Sequence, residues 1–236
     1  MSSDDLNAIR DFYDNRYYGQ HAHGARPAWH TRKIAARLGD PAGWQVLDVA
    51  CGTGGWLNLF RKRGAGIAGI DLSQMAIEVC RRELPDGEFV CGPAETLPFA
   101  DARFDLVTCM GSLEHFVDKP AALAQMRRVA KPDARFLILV PNAGFLTRRL
   151  GLYGGTQQVM AKEDVYELAE WNRLFEAAGL RVIERWRDLH PLSWSWIARG
   201  SRLGWPVRAA QALALAAWPL GWQYQVYHYC RACDVA

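Results

Sequence analysis

The sequence predicts an α/β protein built on a doubly wound sheet of seven strands, the last one antiparallel and preceded by a helical insertion. Three observations carry this. From residue 44 onward, short β-branched runs alternate with helical segments. The first run leads straight into a glycine-rich turn, VLDVACGTGGW, residues 46–56. The last two strands are held apart by about 35 residues, where a hairpin would need about two to five.

The elements follow in order. Residues 1–43 are read as a helical cover, with an aromatic run, DFYDNRYYGQHAHG, ahead of a helix from Pro27 to Leu38 whose Ile34 and Leu38 sit one turn apart. Strands are placed at Gln45 to Ala50, Gly66 to Leu72 and Glu88 to Gly92, and Ser73 caps the helix QMAIEVCRREL. Phe104 to Met110 and Arg135 to Pro141 are the most apolar strands and are placed centrally, because strands covered on both faces need not alternate. Asp118, with Pro120 in the first turn, starts the helix between them, and Gly179 closes the helix EDVYELAEWNRLFEAAG. Leu180 to Arg187 and Gln223 to Arg231 complete the sheet. The chain is thus read as one domain: a cover over 1–43, a sheet core over 44–187 and 223–233, and an insertion over 188–222.

The insertion contains LSWSWIARGSRLGWPVRAAQALALAAWPLGW, starting at Leu192, with five of the ten tryptophans, three arginines and no acidic residue. Val207 to Trp218 is expected to be a helix. The preferred reading is a roof over a ligand pocket, lined by the aromatics. Membrane docking and a homodimer contact are the other readings, and AAQALALAAWPLGW is too short to span a bilayer.

Composition excludes several function classes. A net charge of +3 with scattered basic residues, the short groups Arg61 to Arg63 and Arg148, Arg149 aside, leaves no basic face for a nucleic acid. The opening MSSDDLNAIRDFYDNRYYG is broken by charge, so no signal peptide is read, and a cytoplasmic location is expected. Cys230 and Cys233 form a CxxC within a strand, where a spacing of three sends the thiols to opposite faces, so neither metal nor redox chemistry is expected of it.

Chemistry concentrates at the first two strand ends. Asp48 precedes the glycine turn, where Gly52 and Gly54 let the backbone approach a ligand, and the helix that follows offers free N–H groups. In GIDLS, residues 69–73, Asp71 ends the next strand with a carboxylate suited to both hydroxyls of a ribose. Both NAD and S-adenosylmethionine sites use an acid there. The dinucleotide fingerprint needs a third glycine, and that position is Leu57.

With these segments in view, the chain resembles the class I S-adenosylmethionine-dependent methyltransferases, a Rossmann-like family, and within them the small-molecule group that includes ubiquinone and menaquinone methyltransferases. VLDVACGTGG looks like motif I, GIDLS like the acidic segment after it, CGPAETLPFADARFDLV like the adenine loop with motif IV, and MRRVAKPDARFLILVPN like the helix and strand beyond. The resemblance runs from about residue 44 to 142, with weaker echoes in EWNRLFEAAGLRVIE. It implies S-adenosyl-L-methionine as cofactor and S-adenosyl-L-homocysteine as product. Asp48, Ala50, Gly52 and Gly54 would surround the methionine part, Asp71 would hold the ribose, and Leu72 would flank the adenine. Ala94 and Glu95 would line its polar edge, with Met110 and Tyr18 also against the cofactor. Two positions depart from the family: Ala50 stands where glycine is commoner, and Pro93 where an aspartate often receives the adenine amino group.

The loop CMGSLEHFVD projects beyond the carboxyl ends of the strands, where a doubly wound sheet places its ligand, and His115 is the candidate base, with an ordinary pKa of about 6.5. Glu114 is read as orienting that loop. Tyr13, Tyr17, Tyr18, His21 and His23 resemble the aromatic cover of such enzymes. No Asn- or Asp-Pro-Pro-aromatic sequence follows the fourth strand, so a small acceptor is expected, with oxygen the first choice of methylated atom. A membrane-associated enzyme acting on a lipid or quinone precursor, and a non-catalytic cofactor-binding module, are the alternatives.

Overall fold

The computed structural model describes residues 27–151, 164–198 and 200–233, together with Arg10 and Asp14. Seven strands form one sheet: β1 (Gln45–Val49), β2 (Gly66–Asp71), β3 (Glu88–Cys91), β4 (Phe104–Met110), β5 (Ala130–Pro141), β6 (Leu180–Arg187) and β7 (Gln225–Ala232). Their order is β3-β2-β1-β4-β5-β7-β6, with β1 to β5 parallel and β7 antiparallel to both of its neighbours. All seven expected strands are present, and β5 begins five residues earlier than its apolar run suggests.

Two apolar layers sandwich the sheet, and side-chain alternation assigns the strand residues between them. Leu47, Val49, Val107, Cys109, Phe136 and Ile138 face one cluster, where α4 (Lys119–Val129) and α6 (Leu168–Ala177) contribute Leu123, Met126, Trp171 and Phe175. Val46, Leu106, Leu137 and Leu139 face the other, covered by α1 (Trp29–Arg37), α2 (Leu57–Arg61) and α3 (Gln74–Glu83). Burial on both faces explains why the central strands read as near-continuous apolar runs.

Helix starts follow the expected chemistry. Ser73 accepts from the Ala76 amide at the head of α3, and Asp118 does the same for Ala121 at the head of α4. Gly179 adopts φ +72° just past α6. The glycine turn opens a helix as expected: residues 52–56 form the turn and α2 follows at once from Leu57, although it is only five residues long. Leu57, at the position where a dinucleotide turn carries its third glycine, is fully buried core.

The chain runs from β1 outward to β3 and returns to β4 beside β1, so the direction of winding reverses between β1 and β4. A crevice outside the carboxyl ends of these two strands follows from that reversal. Between β6 and β7, at the same end of the sheet, stand α7 (Trp194–Ile197) and α8 (Trp205–Ala217) with short 3-10 turns around them. Asn142, just past β5, donates to the carbonyls of Gly221 (2.9 Å) and Gln223 (3.1 Å), and Gln223 donates to those of Leu215 and Trp218 at the end of α8. These bonds fix the insertion to the carboxyl edge. Of the CxxC pair, Cys230 is buried on β7 and Cys233 lies just beyond it, half-buried; both are free thiols.

Candidate active site

Strand register builds the centre of the site. Asp48 on β1 is paired directly with Thr108 on β4. The Thr108 hydroxyl donates to Asp48 Oδ1 at 2.6 Å and accepts from the Trp56 indole N–H at 3.1 Å. This relay joins the two strands that flank the crevice and leaves Asp48 almost wholly buried. Burial pushes its carboxyl up to about 8, the Thr108 hydrogen bond pulls against it, and the charge of Asp71 adds to the rise.

Asp71, at the end of β2, accepts from the Gly52 amide at 2.8 Å through Oδ2 and from the Ser73 amide at 2.9 Å through Oδ1. Burial raises its pKa, the two amides oppose the rise, and the nearby Asp14 adds to it. Each oxygen keeps a second lone pair, so the carboxylate still has room for two hydroxyl donors. Asp14 accepts from the Ser73 hydroxyl, and Arg10 donates to the Leu72 carbonyl at 3.3 Å, so the N-terminal segment touches this edge. Tyr18, with Tyr13, Tyr17, His21 and His23, lies outside the described residues.

The turn between the two carboxylates is conformationally demanding. Gly52 and Gly54 have φ of +52° and +75°, and Ala50 has φ +62° despite its Cβ. A Cβ on Gly54 would sit 2.7 Å from Leu84 Cδ1 and 3.1 Å from Cys80 Sγ. The absent Cβ of Gly54 therefore also admits the end of α3.

The loops after β3 and β4 are tied together. Ala94 is buried in the loop after β3, and the Glu95 carboxylate accepts from the amides of Val117 and Asp118, both at 3.2 Å. Met110 closes β4 half-buried, next to Gly111 at φ +73°. His115 ends a 3-10 turn, Leu113–His115, that also holds the buried Glu114. Lys119, itself buried, pairs with Asp164 at 2.9 Å and donates to the Phe116 carbonyl, so this loop is anchored to the segment ahead of α6.

The comparisons agree with this geometry. The methyltransferase domain family matches residues 47–138. An O-methyltransferase of Penicillium expansum is 39% identical over 168 residues, 65% of this chain and 58% of that protein. A demethylmenaquinone methyltransferase of Renibacterium salmoninarum is 36% identical over 107 residues, 45% of each chain. A chain of the complex between the Haloferax volcanii Trm112 methyltransferase activator and a methyltransferase superposes with a TM-score of 0.72 at 23% identity, over 96% of this chain and 98% of that one. This chain carries a class I S-adenosylmethionine-dependent methyltransferase domain. Its matches span about half the length of these two sequence relatives.

Within the methyltransferase domain, Asp48, Ala50, Gly52, Gly54, Asp71 and Leu72 gather at the carboxyl ends of β1 and β2, with Met110 at the end of β4 and Ala94, Glu95 and His115 on the adjoining loops. Sequence reasoning missed Thr108 and Trp56. The signal for Thr108 was a lone hydroxyl in the apolar strand FDLVTCM, opposite an acid once the strands are paired. It also missed a group beyond β6: Asp188 accepts from the His190 amide at 2.9 Å, and the His190 ring lies 5.3 Å from that of buried His30 on α1. Burial, helped by His190, lowers the His30 pKa to about 4, so His30 is a neutral imidazole at pH 7. No group of three or more His, Cys, Asp or Glu among the described residues is placed to hold a metal.

Turn substitutions separate these roles. Gly54→Ala is expected to cost about 2–4 kcal/mol, from left-handed strain plus overpacking against α3. Ala50→Gly is expected to stabilise by about 0.5–1 kcal/mol, since relief of strain exceeds the added entropy of the unfolded chain. Thermal melts at pH 7 should move in opposite directions.

Proposed function

We propose that the chain transfers a methyl group from S-adenosyl-L-methionine to a small, aromatic or apolar acceptor, with oxygen the favoured nucleophile and S-adenosyl-L-homocysteine the second product. The observation that carries this reading is the pair of buried carboxylates, Asp48 and Asp71, on either side of the left-handed glycine turn. Two acids whose ionised forms are disfavoured by burial, with the charge of Asp71 adding to the rise at Asp48 and that of Asp14 to the rise at Asp71, make a site complementary to a cationic ligand bearing hydroxyl donors. A nucleoside sulfonium has both features. The buried Leu57, at the position where a dinucleotide turn needs glycine, favours it over NAD.

Bound there, S-adenosylmethionine supplies a methyl group already activated by its sulfonium. The protein's part is alignment, exclusion of water and removal of one proton. Asp71 accepts the ribose hydroxyls while its two backbone amides hold the carboxylate in place. Asp48, fixed by Thr108, offers negative charge to the methionine end. Leu72, Ala94 and Met110 provide the apolar flank, and Glu95 holds the adenine-side loop against the head of α4. As the acceptor's bond to the methyl carbon forms and the carbon–sulfur bond breaks, with its electron pair left on sulfur, an imidazole nitrogen of His115 would take the acceptor's proton and later return it to solvent. The insertion walls the acceptor side.

Carbon methylation of a lipid or quinone precursor is the second reading. It is favoured by the similarity to demethylmenaquinone methyltransferases and by the apolar insertion at the acceptor end of the sheet. Assaying S-adenosylhomocysteine release against phenols, carboxylic acids, sugars, amines and quinone precursors separates the two. Cofactor binding without turnover on any acceptor would make the chain a binding module.

Asp71→Asn keeps the shape and the turn but removes the charge, and is expected to weaken S-adenosylmethionine binding by about tenfold or more, the loss of one to two charge-assisted hydrogen bonds. Titration calorimetry showing unchanged affinity would sink the ribose assignment. His115→Gln is expected to lower turnover by about 10²-fold or more and to flatten its dependence on pH, with cofactor affinity preserved. Retained turnover with an unchanged pH profile would remove His115 as the base.

A further inference from the structure

An ordinary surface helix shows charge to water. On α3 the exposed positions include Gln74, Glu78, Arg81 and Glu83, and on α6 they include Glu170, Arg173 and Glu176. Helix α8 inverts this pattern. Its single buried residue is Ala212, and the stripe it turns to solvent, Val207, Ala210, Leu213, Ala214 and Ala217, is apolar at helical spacing, with Gln211 as the one polar residue in it. Leu213 is 68% exposed, Leu203 just ahead of the helix 93%, and Trp194, edge-on to Trp205 at 5.1 Å, 65%. Among the described residues, every exposed large apolar side chain except Ile183 on edge strand β6 belongs to loops or helices at the carboxyl end of the sheet. That end is where the proposed site opens.

The charge around this face has one sign. Residues 189–222 hold three arginines and no aspartate or glutamate. Arg208 lies over the Trp196 ring at 4.2 Å and Arg202 over Trp205 at 5.9 Å, and neither is ion-paired among the described residues. Guanidinium groups stacked on tryptophans at the rim of an apolar surface fit anionic headgroups above an acyl boundary. The protruding side chains stand on short helices, which suits insertion into a fluid phase better than a rigid protein groove. At 13 residues, α8 is about 20 Å long and can lie flat in an interface but cannot cross it.

From this face we infer that the insertion docks on an anionic bilayer surface, with Leu203, Val207, Leu213 and Trp194 entering the interface and the arginines meeting lipid phosphates. Docking would point the acceptor end of the sheet at the membrane. The consequence that the acceptor is drawn from the lipid phase rests on the methyl-transfer reading, whereas the docking does not.

The test uses the full chain with vesicles of phosphatidylcholine alone or mixed with phosphatidylglycerol. Co-sedimentation is expected on the mixed vesicles, weakened by salt and much weaker on the neutral ones, and brominated lipids are expected to quench tryptophan emission. The double variant Leu203→Gln, Leu213→Gln should lose about tenfold or more of the partitioning, and Arg202→Gln with Arg208→Gln should lose the preference for anionic lipid. Circular dichroism and cofactor affinity, measured without vesicles, should be unchanged in both, and they also test the proposed activity separately. No association with anionic vesicles at low ionic strength would overturn the inference. So would undiminished association of the leucine variant, or a concentration-dependent dimer that the same substitutions dissolve.

Discussion

A carboxylate buried at the seam between β1 and β4 is the constraint on which the rest of this structure depends. Asp48 sits where the winding of the sheet reverses, and it is held there by the Thr108 hydroxyl, itself held by Trp56. Water is excluded from this seam by the apolar layers on both faces, which is why the carboxyl rises to about 8. Asp71, a strand away, is supported by two backbone amides, that of Ser73 just beyond its own strand and that of Gly52 in the left-handed turn. The fold thus spends stability on a site of unbalanced acidity. Such a site is poorly solvated until a ligand of positive charge completes it.

Around this pair the edge of the sheet is assembled by bonds between loops, not within them. Glu95 joins the loop after β3 to the head of α4, and Lys119 joins α4 to the segment before α6. Asn142 and Gln223 join β5 to the insertion. Each of these polar groups is buried or half-buried, so breaking one leaves an unpaired partner in a dry environment. The result is a continuous rim from the carboxyl end of β2 to that of β6, with His115 on the loop in the middle.

Local chemistry was legible in the sequence and long-range contact was not. The seven strands, the Ser73 and Asp118 caps, the Gly179 stop and the acids at the ends of β1 and β2 all follow from neighbouring residues, and all are found. The partner of Asp48 is 60 residues away and could be named only after the register of β1 and β4 was known. Gly54 has a packing role that the sequence did not reveal, because its crowding by Leu84 and Cys80 depends on where α3 packs. For the insertion, composition marked a helix and an aromatic lining, but burial is a tertiary property: only the structure exposed the outward stripe of α8 and the His30, Asp188 and His190 group beneath the insertion's first turn.

The account stands or falls on whether the Asp48 and Asp71 pair changes its protonation when a cationic nucleoside binds. The direct measurement is titration calorimetry of S-adenosylmethionine binding at pH 7 in buffers of different ionisation enthalpy, repeated at pH 9. With the Asp48 carboxyl at about 8 in the free protein, binding at pH 7 is expected to expel a proton, approaching one per site, and affinity should rise with pH until the carboxyl is ionised beforehand. At pH 9 the released proton should nearly vanish, and Asp48→Asn should abolish it at pH 7. Binding at pH 7 with no linked proton, or with release unaffected by Asp48→Asn, would contradict the account.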